Sequence, residues 1–138
     1  MHITTCTTSG SRLTARGFLL HAYNGSAELA DAFVKLGAYF SFNGAFLEPR
    51  KERLRELYTQ IPVNRLLIET DAPAMRLPTD REQFTLPDSD DGEPVNHPAN
   101  LVATYAALAE LRGVPLASLC TQIAGNFGRL FNSGDAIT

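Results

Sequence analysis

Short apolar stretches that end in polar residues recur three times along the chain, at residues 17–23, 38–42 and 66–68. Between them, residues 26–36 and 49–61 place their apolar side chains at helical spacing. A short apolar run bounded by turn residues indicates a buried strand, whereas helical spacing indicates an amphipathic helix. The order strand, helix, strand, helix, strand therefore predicts an α/β fold whose parallel strands are joined by right-handed crossovers.

Cap and turn residues mark where these elements begin and end. Ser26 is a good N-cap for the first helix, and Gly37 suits the position just beyond its end. Pro49 can open the second helix, and Pro62 ends it. The proline-, aspartate- and glycine-rich residues 77–95 form a loop of a length that is usually functional or disordered. Two further predicted helices follow, with these apolar residues at helical spacing: Leu101, Val102, Tyr105, Leu108 and Leu111, then Leu116, Leu119, Ile123, Phe127, Leu130 and Phe131.

The polar tips of the strands are the candidate site. Glu69 and Asp71 follow the third strand, and they share one face if that strand is regular. His21 follows the first strand, and in a parallel sheet both tips lie at the same edge, where reactive groups collect. A histidine with a carboxylate suits zinc or manganese, and suits magnesium less well. The alternative is that these acids only cap the following turn, and two ligands do not by themselves hold a catalytic metal.

Other polar residues carry weaker signals. Glu69 could support a metal ligand, or it could only pair with an arginine such as Arg65 or Arg50. His97 precedes a proline near a helix start, so a loop position is expected rather than a metal ligand. Asn96 and Asn100 could each hold a loop or cap a helix. We assign Asn100 the structural role and count Asn96 among the residues that support the candidate site.

Composition narrows the possible functions. The chain has 138 residues, enough for one domain, and a net charge of −3, so it lacks the broad basic field of a non-specific nucleic-acid binder. Cys6 and Cys120 are far apart and form no ligand-like pair, which is the default for a reduced, intracellular protein. The sequence shows no apolar run of membrane-spanning length and no secretory signal, so we expect no membrane contact and a cytoplasmic location.

Five motifs together resemble the carboxyl-terminal half of TatD-type metal-dependent hydrolases. They are residues 17–26, 66–73, 96–101, 111–113 and 126–131. The resemblance implies a partial TIM (β/α)8 barrel, about the last three parallel strands with their helices, since a complete barrel needs roughly 250 residues. It covers residues 17–132, which leaves 1–16 as an irregular leader and 133–138 as a tail.

The resemblance also implies roles for individual residues. His21 would be a metal ligand, and Asp71 would contact the metal and orient or deprotonate the attacking water. Glu69 would lie beside it in a supporting role. The implied substrate is DNA or another phosphoester, and the implied cofactors are divalent ions, Mg, Mn or Zn, which activate water and neutralise charge on phosphoryl oxygens.

Part of the family pattern is missing from this sequence. The HxH pair, the glutamate and the further histidine of the family's amino-terminal half have no match, and His2 is only a weak candidate for that histidine. We therefore expect a truncated chain with little or no nuclease activity by itself. The alternative is a non-catalytic fragment that forms a homodimer by covering its unpaired sheet edges. The net negative charge of the chain argues against a nucleic-acid binding module without catalysis.

Overall fold

A single four-stranded sheet lies at the centre of the structure, a computed structural model that describes residues 3–4 and 16–131. The strands are β1 (Ile3–Thr4), β2 (Phe18–Leu20), β3 (Ala38–Asn43) and β4 (Leu66–Glu69), in this order across the sheet. Strands β2, β3 and β4 are parallel, and β1 pairs with β2 in the antiparallel direction. The predicted α/β fold with three parallel strands is thus confirmed.

Strand β1 comes from the amino-terminal segment, in which the sequence did not place any element. Within the expected leader over residues 1–16, Ile3–Thr4 pairs with β2 and occupies one edge of the sheet. The backbone groups of an edge strand favour such pairing wherever a segment of chain can reach them. His2 and Cys6 lie outside the described residues, as does the predicted tail at residues 133–138.

Helices cover the sheet. They are α1 (Ala27–Lys35), α2 (Glu52–Gln60), α3 (Leu101–Arg112) and α4 (Leu116–Phe131). Short 3-10 turns precede α2, β4 and α3, at Pro49–Lys51, Val63–Arg65 and Pro98–Asn100, and another follows β3 at Gly44–Leu47. In the described part of the chain no helix has both the length and the apolar character needed to cross a membrane.

Two helix starts show where local signals were sufficient and where they were not. The Ser26 hydroxyl accepts a hydrogen bond from the Leu29 amide at 3.1 Å, as expected of an N-cap. Pro49 opens a 3-10 turn instead of the α-helix itself, which begins at Glu52. The Arg55 guanidinium donates to the carbonyls of Phe46, Glu48 and Pro49 and holds this tighter turn in place.

An aromatic cluster packs α2 against the sheet beneath the strand tips. Tyr58 is fully buried, and its ring packs edge-on against that of Phe42, with centroids 5.4 Å apart. Its hydroxyl lies 3.0 Å from the carbonyl oxygens of Tyr23 and Ser41, on the two neighbouring chain segments. Burial raises the pKa of the Tyr58 hydroxyl. This proton therefore stays in place and joins β3 to the turn after β2.

Helix α4 does not bury all the apolar residues that its sequence pattern suggested. Leu119 and Ile123 are buried, whereas Phe127 and Phe131 are 52% and 51% exposed, with ring centroids 4.7 Å apart. The buried stripe continues instead through Asn126, whose amide donates at 2.8 Å to the carbonyls of Val63 and Leu66. Satisfying these carbonyls at the start of β4 determines which face of the helix turns inward.

Gly17→Ala should destabilise the fold strongly. Gly17 has φ +93°, and an added Cβ would lie 2.0 Å from the Gly37 carbonyl oxygen. Gly92 also has a positive φ, +79°, but nothing lies within 4 Å of the corresponding Cβ. We expect Gly92→Ala to lower the free energy of unfolding by about 1 kcal/mol and Gly17→Ala by about 3 kcal/mol. Urea unfolding of both variants measures this difference, and equal losses would show that β2 and β3 can separate at this point.

Candidate functional site

The carboxyl ends of the three parallel strands bring together the residues of the candidate site. His21 follows β2, Asn43 ends β3, and Glu69 ends β4, with Asp71 two residues further on. Because the strands are parallel and in register, with Asn43 opposite Glu69, these side chains gather at one edge of the sheet. The structure therefore places His21, Glu69 and Asp71 in one cluster.

His21 lies between the two carboxylates. Its Nδ1 contacts Glu69 Oε2, and its Nε2 lies 3.7 Å from Asp71 Oδ1. The Glu69 side chain is 14% exposed, whereas those of His21 and Asp71 are 36% and 44% exposed. The cluster thus has a buried side, where Glu69 fixes the imidazole, and an open side, where Nε2 and the Asp71 carboxylate face solvent.

Two polar residues of β3 hold Glu69. Ser41 Oγ donates to Glu69 Oε2 at 2.8 Å, and Asn43 Nδ2 donates to Oε1 at 3.3 Å. Burial raises the pKa of Glu69, and the Ser41 and Asn43 hydrogen bonds and the nearby His21 act against this increase. The suggestion that Glu69 only pairs with an arginine was wrong, because its ion-pair partner in the described chain is His21.

The backbone turns into the left-handed region two residues after the ends of β2 and β4. Ala22 and Asp71 have φ values of +49° and +56°, in the left-handed region that residues other than glycine rarely occupy. The expectation that Glu69 and Asp71 share a face assumed a regular strand, but β4 ends at Glu69. Asp71 reaches His21 through this left-handed turn. Such backbone strain costs about 1–3 kcal/mol per residue and persists where the surroundings hold it.

Asn96 supports the segment that carries Asp71. It is buried, and its Nδ2 donates to the carbonyls of Thr70 and Met75 at 3.0 and 3.4 Å. Its backbone amide also donates to the Pro73 carbonyl at 2.8 Å. Asn96 therefore contacts the turn on both sides of Asp71 without joining the His21 cluster itself.

His97 and Asn100 have structural positions. His97 Nδ1 accepts a hydrogen bond from the Ala99 amide at 3.0 Å and caps the 3-10 turn before α3. Asn100 Oδ1 accepts from the Gln83 and Phe84 amides, and its Nδ2 donates to the Phe84 carbonyl. Asn100 thereby attaches the long 77–95 segment to the start of α3.

Ser41 and Asn43 are the site residues that the sequence analysis missed. Both lie at the end of the aromatic strand β3, where the hydrophobic pattern gave no reason to select them. A usable signal was present, because β3 lies between the two strands that carry His21 and Glu69. A polar residue at the carboxyl end of a central parallel strand lies at the same edge of the sheet as the carboxyl ends of the two neighbouring strands.

The open side of the cluster provides two donor atoms that suit a metal ion, His21 Nε2 and Asp71 Oδ1. Imidazole nitrogen and carboxylate oxygen are donors that Mn²⁺ and Zn²⁺ accept, and His21 Nε2 and Asp71 Oδ1 face each other. Within residues 16–131, however, no three histidine, cysteine, aspartate or glutamate side chains are arranged to hold a metal ion. The described chain thus provides two donors of a site that normally needs at least three protein ligands.

Comparison with known proteins places these residues in a family. The family model for TatD related DNase matches residues 4–132. The uncharacterized metal-dependent hydrolase YjjV of Escherichia coli K12 is 32% identical over 114 residues, covering 83% of this chain and 40% of YjjV. The 3'-5' ssDNA/RNA exonuclease TatD of the same strain is 36% identical over 116 residues, covering 83% of this chain and 42% of TatD.

Solved structures agree with these matches. The crystal structure of YjjV superposes with a TM-score of 0.68 over 83% of this chain and 40% of YjjV. A TatD family hydrolase from Entamoeba histolytica, 17% identical, has the same fold with a TM-score of 0.68 over 83% of this chain and 42% of that protein. The chain thus spans about two fifths of the length of the relatives it matches.

Replacing Ser41 should destabilise the contacts that join the turn after β2 to Glu69. The Ser41 hydroxyl accepts a hydrogen bond from the Ala22 amide at 3.0 Å while donating to Glu69, so Ser41→Ala leaves both groups short of a partner. We expect the free energy of unfolding to fall by about 2–3 kcal/mol and the Ala22 amide to exchange with solvent faster. The exposed Ser118 on α4 gives the control, since Ser118→Ala should change stability by less than about 0.5 kcal/mol.

Hydrogen exchange followed by NMR, with urea unfolding, makes both measurements. Unchanged exchange at Ala22 in the Ser41→Ala protein would contradict the bridging role of this hydroxyl.

Proposed function

Since this chain belongs to the TatD related DNase family, we propose that it forms part of a metal-dependent hydrolase site that cleaves phosphodiester bonds of DNA. The observation that carries the proposal is the cluster in which His21 lies between Glu69 and Asp71 at the strand tips. A relative named as a single-stranded DNA and RNA exonuclease supports the choice of substrate.

Each side chain of the cluster has a proposed role. His21 Nε2 and the Asp71 carboxylate would hold a divalent ion, Mn or Zn by donor chemistry and Mg as a weaker fit. Such an ion would lower the pKa of a bound water and neutralise charge on the phosphoryl oxygens. Glu69 would accept a hydrogen bond from Nδ1–H of His21, which would leave the Nε2 lone pair directed to the open side.

Asp71 is the proposed catalytic residue. The Asp71 side chain is 44% exposed, whereas that of Glu69 is 14% exposed. The Asp71 carboxylate can therefore contact a water molecule that approaches from solvent. It would orient that water and accept its proton as the oxygen attacks phosphorus. Asn96 would support this role, because it donates to the carbonyls of Thr70 and Met75 on the two sides of Asp71.

The chain by itself is proposed to be a weak or inactive catalyst. Three parallel strands with their helices correspond to part of a TIM barrel, and the described residues provide two metal donors where catalysis needs more. The described residues of the cluster do not include the further histidines and the glutamate that the family resemblance implies. A cytoplasmic location remains a prediction.

The second candidate function is a non-catalytic fragment that forms a homodimer. Strand β4 is the last strand of the sheet and pairs only with β3 in the described chain. Helix α4 packs against β4 and exposes the aromatic pair Phe127 and Phe131. An edge strand and exposed aromatic rings on the helix packed against it both favour association with a second copy.

Metal binding tests the proposed site. Titration of Mn²⁺ followed by electron paramagnetic resonance should show weak binding, and Asp71→Asn should reduce the affinity at least about tenfold. Asp88→Asn changes an exposed loop carboxylate and should leave the affinity unchanged. Manganese binding that is equal in the native and Asp71→Asn proteins would contradict the assignment of Asp71 as a ligand.

Turnover tests the proposed activity separately. The purified chain with Mn²⁺ and single-stranded DNA should release little or no product. Rapid hydrolysis that Asp71→Asn abolishes would support the hydrolase but contradict our expectation that this chain is weak by itself. Rapid hydrolysis that survives Asp71→Asn would contradict the catalytic role.

Sedimentation velocity tests the homodimer. If α4 forms the interface, Phe127→Asp should convert a dimer to a monomer, because a charge would be buried against apolar surface. Leu36→Asp is the control, since Leu36 is 64% exposed at the end of α1 and lies outside α4. A native chain that sediments as a monomer at all concentrations would exclude the homodimer.

A further inference from the structure

The opposite end of the sheet carries a cavity that the hydrolase site does not use. It has a volume of about 610 Å³ and lies where the strands begin. Gly17 precedes β2, Gly37 precedes β3 and Arg65 precedes β4, and all three line it. Strand β3 has six residues, so the two ends of the sheet are about 20 Å apart.

The charge of this cavity is opposite to that of the whole chain. Although the chain has a net charge of −3, the charged side chains that line the cavity are all cations: Arg16, Lys35, Arg65 and Arg129. In the described part of the chain none of these four forms an ion pair, and the ion pairs found there involve His21, Arg76 and Arg81. A concentration of uncompensated positive charge in a concave site attracts anions.

Two of the guanidinium groups are held by buried residues. The guanidinium carbon of Arg65 lies 5.0 Å from the ring centroid of Tyr39, which is buried. Arg129 Nη2 donates to Asn126 Oδ1, and Asn126 is itself fully buried and bonded to the start of β4. These arginines come from different elements, and both line the same cavity. A site whose cations are positioned in this way loses less side-chain entropy when a ligand binds.

Two glycines line the cavity at the starts of β2 and β3. Gly17 and Gly37 both have positive φ, +93° and +96°, and the Phe18 amide donates to the Gly37 carbonyl at 3.3 Å. A Cβ at Gly17 would overlap the Gly37 carbonyl oxygen, so the backbones at Gly17 and Gly37 approach each other more closely than a larger residue at position 17 would allow. The lining therefore combines the two glycines with four basic side chains, and Val34, Leu36, Tyr39 and Asn64 complete it.

We propose that this cavity binds a small molecule that carries a phosphate group, either inorganic phosphate or a mononucleotide. Guanidinium groups match phosphate oxygens with paired hydrogen bonds, and lysine adds a point charge. The volume lies within the range of roughly 300–1,000 Å³ that is typical of small-molecule sites. The site is separate from the His21 cluster and does not depend on the proposed hydrolase activity.

NMR titration of the ¹⁵N-labelled chain tests this proposal. Inorganic phosphate and a 5′-mononucleotide are added separately, without metal and at an ionic strength held constant with sodium chloride. We expect saturable shifts of the Gly17 and Gly37 amide signals. Equal affinity for the two ligands would show that the phosphate group alone is recognised, and tighter binding of the mononucleotide would show that the cavity also contacts the rest of the molecule.

Matched arginine variants locate the site. Arg65→Gln and Arg129→Gln should each weaken binding at least about fivefold, whereas Arg50→Gln, an exposed arginine outside the cavity, should not. Two variants on different elements guard against one of them failing to fold, which urea unfolding checks. Shifts that do not saturate, or affinities equal in the native, Arg65→Gln and Arg129→Gln proteins, would overturn the proposal. Binding confined to oligonucleotides, with neither small ligand bound, would also overturn it.

Discussion

The hydroxyl of Ser41 is the contact on which the strand tips depend. It accepts from the Ala22 amide and donates to Glu69, so one small side chain on the central strand joins the turn after β2 to the end of β4. The Tyr58 hydroxyl adds a second contact between these segments, since it donates to the carbonyl oxygens of Tyr23 and Ser41. Because these contacts are partly or fully buried, each polar group must find its partner, and this requirement limits how far His21 and Glu69 can move.

The two ends of the sheet have opposite chemistry. Carboxylates and an imidazole meet where the parallel strands end, and arginines surround the cavity where the strands begin. A parallel sheet produces this separation, because residues before all strands gather at one edge and residues after them gather at the other. An acidic chain can in this way carry a local cationic site that its net charge does not reveal.

Sequence reasoning was most successful where the signal was local. The Ser26 cap, the turn at Gly37 and the apolar spacing of residues 49–61, which buries Leu54, Leu57 and Tyr58, depend on neighbours a few residues apart. It was less successful where distant residues decided the outcome. Asn126 turns α4 so that Phe127 and Phe131 remain exposed, and Arg55 tightens the turn at Pro49. Ser41 was missed because its importance lies in two partners, 19 and 28 residues away in the chain.

The sequence by itself determined the α/β class, the order of the three parallel strands and the helices between them, and the placement of His21, Glu69 and Asp71 at strand ends. The motifs also placed the chain in its family, since hydrophobic periodicity and short motifs are properties of contiguous residues. Only the tertiary structure decided which nitrogen of His21 faces which carboxylate, which residues hold Glu69, and that four basic residues share one cavity. These outcomes depend on strand register and on left-handed turns at Ala22 and Asp71, which long-range packing determines.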